Sequence, residues 1–322
     1  MNTFENILEL IGNTPLVRLR TGIPEGGPKA YAKLEFMNPT GSVKDRMTAY
    51  ILKKAISEGR LKPGDTVVDN SSGNTGSSLA MTASVLGLKS IITTPEKTSR
   101  EKTDLIRSFG AEVIVTPTEA PHDSPENHYM IARKLCQENG YFDLNQYDNK
   151  ENIEAHYQTT GPELWHDTEG KITHFVCGIG TGGTLSGTGR FLKEKNQDVR
   201  IIAVDPEGSI FAEYVKSGKI IEGELYQIEG IGSDVITGAL DKDVIDELIS
   251  VSDKDSFVRA RLVSKTEGIS CGGSSGTVAC AMEIVARSAQ PDSFIVGIFA
   301  DSGIRYLSKC YNDDWMKEQG FI

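Results

Sequence analysis

The chain has 322 residues, of which 38% are hydrophobic and 25% charged, and a formal net charge of −11. A chain beyond the roughly 250–300 residues at which single cores stop growing is expected to form two domains, and its composition is that of soluble globular proteins. The acidic excess disfavours nucleic acid and anionic membrane as partners, yet leaves room for a local phosphate pocket.

The start, Met1-Asn-Thr-Phe-Glu-Asn, has no basic stretch ahead of an apolar run, so no signal peptide is expected. In chain order, β-branched runs predict strands over residues 30–36, 66–69, 90–93, 112–116, 174–177, 200–204, 249–252 and 294–299. Amphipathic spacing predicts helices over 44–58, 74–86, 100–109, 126–138, 184–194 and 254–266. This alternation implies α/β architecture: parallel sheets with right-handed crossovers and helices on both faces. Ligands in such sheets bind beyond the carboxyl ends of strands, so the loops there are the places to search. The apolar run 294–300 is strand-length and too short to span a bilayer. Five cysteines without a CxxC pair and five histidines without HExxH spacing argue against disulfides and a metal site, and fit a reducing cytoplasm.

Four strand-to-helix loops carry candidate chemistry. The first is Asn38-Pro-Thr-Gly-Ser-Val-Lys44, where Lys44 falls in the first turn of a helix. The positive helix end disfavours its ammonium form, which suits a nucleophilic amine better than a solvated surface charge. The second, Ser71-Ser72-Gly73-Asn74-Thr75-Gly76, gathers hydroxyls, an amide and backbone N–H groups. It reads equally as a carboxylate cradle or as a plain N-cap.

The third loop, Gly178-Ile-Gly180-Thr181-Gly182-Gly183-Thr184, reads as a phosphate cup at a helix N-terminus. It also satisfies GxGxxG, with Asp205 ending the next strand, so dinucleotide binding and a tight structural turn stay open. The fourth, Cys271-Gly-Gly-Ser274-Ser275-Gly276, is a helix-capping turn or a hydroxyl aimed at a ring nitrogen.

These four motifs in this order resemble the fold-type II pyridoxal-phosphate enzymes of the cystathionine β-synthase and cysteine synthase family. The likeness runs from Ile11-Gly-Asn-Thr-Pro-Leu-Val17 to the end of the chain. Pro95-Glu-Lys-Thr-Ser, Asp123-Ser-Pro-Glu-Asn-His128, Glu229-Gly230-Ile-Gly-Ser-Asp234, Glu267-Gly-Ile-Ser-Cys271 and the tail from Trp315 are similar to the cystathionine β-synthase branch. Thr159-Thr-Gly-Pro-Glu-Leu-Trp165 is more like plain cysteine synthases. Two positions depart from the family: Ser71 where threonine is usual, and Ser233 where animal cystathionine β-synthases carry a tyrosine in the second-substrate pocket.

The resemblance implies the tryptophan synthase β-like fold, with an N-terminal domain over 1–147 and a C-terminal domain over 148–322. Residues 12–40 are expected to pack with the second domain. It implies pyridoxal 5′-phosphate as cofactor, with Lys44 as Schiff-base lysine and general base. Asn74 would meet the ring hydroxyl, Ser274 the pyridine nitrogen, and Gly180, Thr181, Gly182, Gly183 and Thr184 the phosphate. Dinucleotide binding then recedes, because it leaves Lys44 and both Ser/Asn loops without a purpose.

Ser71, Ser72, Asn74, Thr75, Gln146 and Gly230 would bind the amino-acid substrate, and Asp234 would position or deprotonate the nucleophile. The implied reaction is β-replacement on serine, or an activated serine or cysteine, through an aminoacrylate, with homocysteine as thiol to form cystathionine. Alternatives are cysteine synthesis from O-acetylserine and sulfide, a sulfide-releasing cysteine lyase, or a non-catalytic regulatory homologue. A homodimer is implied, while haem and an adenosyl-type effector are not expected. Cys177 and Cys271 are expected to be small buried hydrophobes, and His156 to pack behind Gln146.

Overall fold

The computed structural model describes residues 3–322 except Ser72, Lys97, Glu119, His122 and Asp123. The elements are β1 (Leu16–Leu19), β2 (Lys29–Leu34), α1 (Lys44–Ser57), β3 (Thr66–Asn70), α2 (Asn74–Val85), β4 (Lys89–Pro95) and α3 (Arg100–Ser108). There follow β5 (Glu112–Thr116), α4 (His128–Asn139), β6 (Phe142–Asp143), α5 (Glu151–Gln158), α6 (Thr160–Asp167), β7 (His174–Gly178) and α7 (Gly183–Lys195). The chain ends with β8 (Arg200–Pro206), α8 (Phe211–Ser217), β9 (Glu247–Val251), α9 (Asp253–Glu267), α10 (Gly273–Ser288), β10 (Phe294–Phe299) and α11 (Asp313–Glu318). They form two compact units: Met1–Ile11 with Asn38–Asn152, and Gly12–Met37 with Ile153–Ile322.

The first unit holds a four-stranded parallel sheet in the order β5-β4-β3-β6. Its central strands are apolar on both faces, as parallel strands covered by helices must be. Val68 and Ile91 pack with Ala132 of α4 on one side. On the other, α2 lies so close that a Cβ on Gly76 would sit 2.9 Å from Ile106 Cδ1 and 3.1 Å from Ile92 Cγ2.

In the second unit a six-stranded sheet runs β1-β2-β10-β7-β8-β9, parallel except for β1, which pairs antiparallel with β2. Strand periodicity divides its core. Val176, Ile202, Val204, Ile295 and Phe299 join one cluster, while Phe175, Cys177, Ile201, Ala203, Val296 and Ile298 join the other. Fully burying one such side chain stabilises by about 1.5–3 kcal/mol. Helix α10 presses onto the first face at Gly297, where a Cβ would fall 2.2 Å from the Met282 sulfur.

The predicted strand over 30–36 stops at Leu34, and Glu35–Met37 turns into a 3-10 helix. Glu35 is fully buried and accepts from Thr14 Oγ1 at 2.6 Å, a contact no local pattern reveals. Beside it, fully buried Lys33 donates to Thr14 O at 2.6 Å, Glu163 Oε1 at 2.6 Å and Asp167 Oδ2 at 2.8 Å. Among the described residues, no helix is long and apolar enough to cross a membrane.

Candidate active site

In the first unit, Gly41 N–H closes a turn on the Asn38 carbonyl at 2.8 Å, and α1 begins at Lys44. Ser42 Oγ accepts the Lys44 backbone N–H at 3.3 Å. The turn is tied down by its neighbour in sequence. Buried Asp45 accepts from Thr40 N at 2.7 Å, from Thr40 Oγ1, and from Ser78 Oγ on α2. Asp45 thus holds the lysine-bearing turn through both oxygens and ties it through Oδ1 to the helix that starts at Asn74. The Lys44-Asp45 adjacency was the one clue to this in the sequence.

Ser71 follows β3 with its N–H bonded to Thr93 O, and its Oγ accepts Gly76 N–H at 3.0 Å and Gly73 N–H at 3.3 Å. The serine thus fastens the loop into which Gly73 and Asn74 are built. Thr75 Oγ1 donates to Gln146 Oε1 at 2.7 Å, and Gln146 Nε2 donates to Asp69 Oδ2 at 3.0 Å. Asp69 is buried, and burial, with Asp143 nearby, pushes its carboxyl well above the usual range. Its Oδ1 makes no hydrogen bond among the described residues. Sequence reasoning overlooked Asp69 because an acid inside a strand reads as an edge residue. Ser72, another expected member of this loop, lies outside the described residues, as do Lys97 and Asp123 of two family-like stretches.

In the second unit the glycine loop follows β7 and opens α7. It has no space for side chains at Gly178, Gly180 and Gly182. A Cβ on Gly180 would lie 2.4 Å from Gly230 O, and one on Gly182, which has φ +91°, would lie 2.6 Å from Leu240 Cα. Gly232 N–H donates to Ile179 O at 2.7 Å and Thr237 Oγ1 to Thr181 O at 2.8 Å. Gly182, itself without a side chain, is the N-cap of the 13-residue α7, and Thr181 Oγ1 accepts the Gly183 N–H at 3.5 Å. Those properties suit a phosphate.

Ser274, 4% exposed, is the second residue of α10, whose N-cap Gly272 likewise supplies no side chain. Among the described residues its hydroxyl makes no hydrogen bond with the protein. The glycine cup and the buried Ser274 hydroxyl of this unit, and in the other unit a lysine at a helix start, are each of a chemistry that suits pyridoxal phosphate.

Gly230, with φ +89°, has open space where a Cβ would be. Asp234 is exposed, in a loop held by Ser233 N–H on Ser209 Oγ at 3.1 Å and Ile210 N–H on Ser233 O at 3.1 Å. The Ser233 hydroxyl turns back on its own loop, donating to Val235 O at 2.7 Å and accepting Val235 N–H at 3.0 Å. Asp205, at the end of β8, accepts Ala212 N–H at 3.1 Å, and burial raises its carboxyl to about 7.

Cys177 and Cys271 are buried, and burial pushes the Cys271 thiol well up, away from thiolate chemistry. Asn152, earlier on α5, is the residue that donates to Gln146 O at 2.8 Å, whereas the His156 ring nitrogens meet Thr160 and Thr184. No group of His, Cys, Asp and Glu among the described residues could hold a metal ion.

Comparison with known proteins bears on the same residues. The family model "Pyridoxal-phosphate dependent enzyme" matches residues 7–301. A cystathionine β-synthase of Dictyostelium discoideum is 43% identical over 320 residues, covering 99% of this chain and 64% of that protein. The chain thus spans under two thirds of the length of such relatives. A cysteine synthase of Staphylococcus aureus is 39% identical over 305 residues, covering 94% of this chain and 96% of that one. The solved structure of an O-ureido-L-serine synthase superposes with a TM-score of 0.89 at 34% identity, over 98% of this chain and 99% of that one. With the two mostly parallel sheets, the lysine turn and the glycine cup, these matches make the chain a member of the fold-type II pyridoxal-phosphate dependent enzymes, within the group of cystathionine β-synthases and cysteine synthases.

Proposed function

We propose that this chain catalyses pyridoxal-phosphate dependent β-replacement on a three-carbon amino acid, and that its reaction is cysteine synthesis from an O-acetylserine-type substrate and sulfide. The observation that carries the choice of nucleophile is the Ser233 loop. At the position the resemblance ties to the second-substrate pocket, a hydroxyl replaces a tyrosine and spends its bonds on Val235. The stretch Glu229-Gly-Ile-Gly-Ser-Asp-Val offers no basic side chain to a thiol amino acid's carboxylate, and Glu229 is paired with Lys309. Sulfide needs no such group. The near end-to-end likeness to a cysteine synthase and an O-ureido-L-serine synthase supports the same reading.

When bound, pyridoxal phosphate supplies an electron sink that weakens bonds at the substrate α-carbon. The chain's residues do the rest. Lys44 would hold the cofactor, and its Nζ would take the substrate α-proton. Acetate leaves from the β-carbon without proton help; a hydroxide would need the proton now on Lys44. Gly180, Thr181, Gly182, Gly183 and Thr184 hold the phosphate, and Asn74 meets the ring hydroxyl. Ser274 meets the ring nitrogen as a neutral partner, which favours elimination and replacement over transamination. Ser71, Ser72, Asn74, Thr75, Gln146 and Gly230 bind the amino acid, and Asp234 positions the incoming nucleophile.

Cystathionine formation from serine and homocysteine is the second reading, favoured by the 43% identity to a cystathionine β-synthase. Product analysis of the cofactor-loaded protein separates them. Cysteine formed from O-acetylserine and sulfide with the higher kcat/KM is the expected result. Cystathionine formed faster from serine and homocysteine overturns it, and turnover by Lys44→Ala overturns the role of Lys44.

A further inference from the structure

We infer that His156 is a positioning residue for the phosphate cup: it donates from Nε2–H to Thr184 Oγ1 and thereby commits the Thr184 hydroxyl proton to the anion. This rests on the reading of Thr184 as a phosphate ligand. His156 is 1% exposed, its Nε2 lies 3.1 Å from Thr184 Oγ1, and its Nδ1 lies 2.8 Å from Thr160 Oγ1. Two hydroxyls therefore hold the two ring nitrogens in the interior of one unit.

The contact is built by helix packing. A Cβ on Gly187 would fall 2.1 Å from Ile153 O, 2.8 Å from Tyr157 N and 2.9 Å from His156 Cβ. Helices α5 and α7 thus meet backbone to backbone at this glycine. Thr184, three residues earlier on α7, lies on the same face and reaches the imidazole. Thr160, four residues after His156, begins α6 and secures the far side of the ring.

Hydroxyls and imidazole are each donor and acceptor, so the direction of the chain matters. With the proton on Nδ1, Thr184 would donate to Nε2 and turn its lone pairs toward a phosphate, which repels them. With the proton on Nε2, Thr160 donates to Nδ1, His156 donates to Thr184, and the Thr184 proton is left for a phosphate oxygen. A bound dianion selects the second arrangement.

The test uses the holoenzyme and its reconstitution from apoprotein with pyridoxal phosphate or with pyridoxal, which lacks the phosphate. Thr184→Val and His156→Asn are each expected to weaken pyridoxal phosphate binding about tenfold or more, the loss typical of one hydrogen bond to a charged group. Both should shift the phosphorus-31 resonance of the bound cofactor and leave pyridoxal affinity within about threefold, a margin smaller than one charged hydrogen bond. The double variant should lose no more than Thr184→Val alone, as coupled residues do. His156→Gln, whose amide nitrogen can stand where Nε2 stands, should recover most of the loss. Nitrogen-15 spectra of labelled imidazole should show the Nε2-protonated tautomer in the wild-type holoenzyme, a readout that needs no variant to fold.

Multiplicative losses, a His156→Asn variant with unchanged cofactor affinity beside a weakened Thr184→Val, or an Nδ1-protonated ring would each overturn the role of His156. A Thr184→Val variant with wild-type affinity and phosphorus resonance would instead overturn the cup assignment itself.

Discussion

A Cβ placed on Gly180 would lie 2.4 Å from the carbonyl oxygen of Gly230. The obstacle is backbone, so it cannot swing aside as a side-chain tip would. Gly180→Ala is therefore expected to push the glycine loop away from the 230–240 segment, weaken cofactor binding at least about tenfold, and cost about 1–3 kcal/mol of stability. Cofactor titration and thermal unfolding of the apoprotein check the two effects separately.

Lys33 tests the buried charge network. Its fully buried ammonium pairs with Glu163, which is partly buried, and with Asp167, whose side chain is 31% exposed, and Glu163 also accepts Thr14 N–H at 2.8 Å. Lys33→Met leaves two carboxylates beside each other without their cation, which costs about 3–5 kcal/mol. Adding Glu163→Gln should recover part of the loss, visible as a partial return of the urea midpoint.

Asp205 links stability to pH. Burial raises its carboxyl from an ordinary 3.8 to about 7. Between those values the unfolded chain is ionised while the folded chain keeps its proton, so this group's contribution falls as pH rises and is fully lost above about 7. Asp205→Asn keeps an acceptor for Ala212 N–H and cannot ionise. Its melting temperature should exceed the wild type at pH 8 by an amount that shrinks toward pH 4. A gap independent of pH would contradict the assignment.

Asp69 holds Gln146, and Gln146 holds Thr75. With Gln146 and Thr75 proposed to bind the amino-acid substrate, Asp69→Leu should raise KM for that substrate about tenfold, with a smaller change in kcat. Asp69→Asn keeps the acceptor and should stay near wild type. Steady-state kinetics on both variants, each loaded with cofactor, give the comparison.

Asp234 has the weakest surroundings of the proposed site residues, being exposed and without a hydrogen bond among the described residues. Asp234→Asn should slow the reaction with the nucleophile while leaving the spectral change on adding O-acetylserine intact. Equal rates for every nucleophile would remove Asp234 from the proposal.

Strand–helix alternation, the apolar β7, β8 and β10, and the four glycine- and serine-rich turns were legible in the sequence because they are local. Residue periodicity sets which face of a strand is buried, and small residues mark where backbone must turn or approach closely. The order of strands was not legible, nor the antiparallel pairing of β1, since both depend on partners distant in the chain. The sequence by itself thus determined the architecture and nominated Lys44, Asn74, the glycine loop and Ser274. Only the tertiary structure decided what supports them within each unit: Asp45 on the lysine turn, Asp69 behind Gln146, and His156 behind Thr184. The physical reason is burial. A polar group removed from water must find a hydrogen-bond partner, and the fold, more than sequence spacing, chooses that partner.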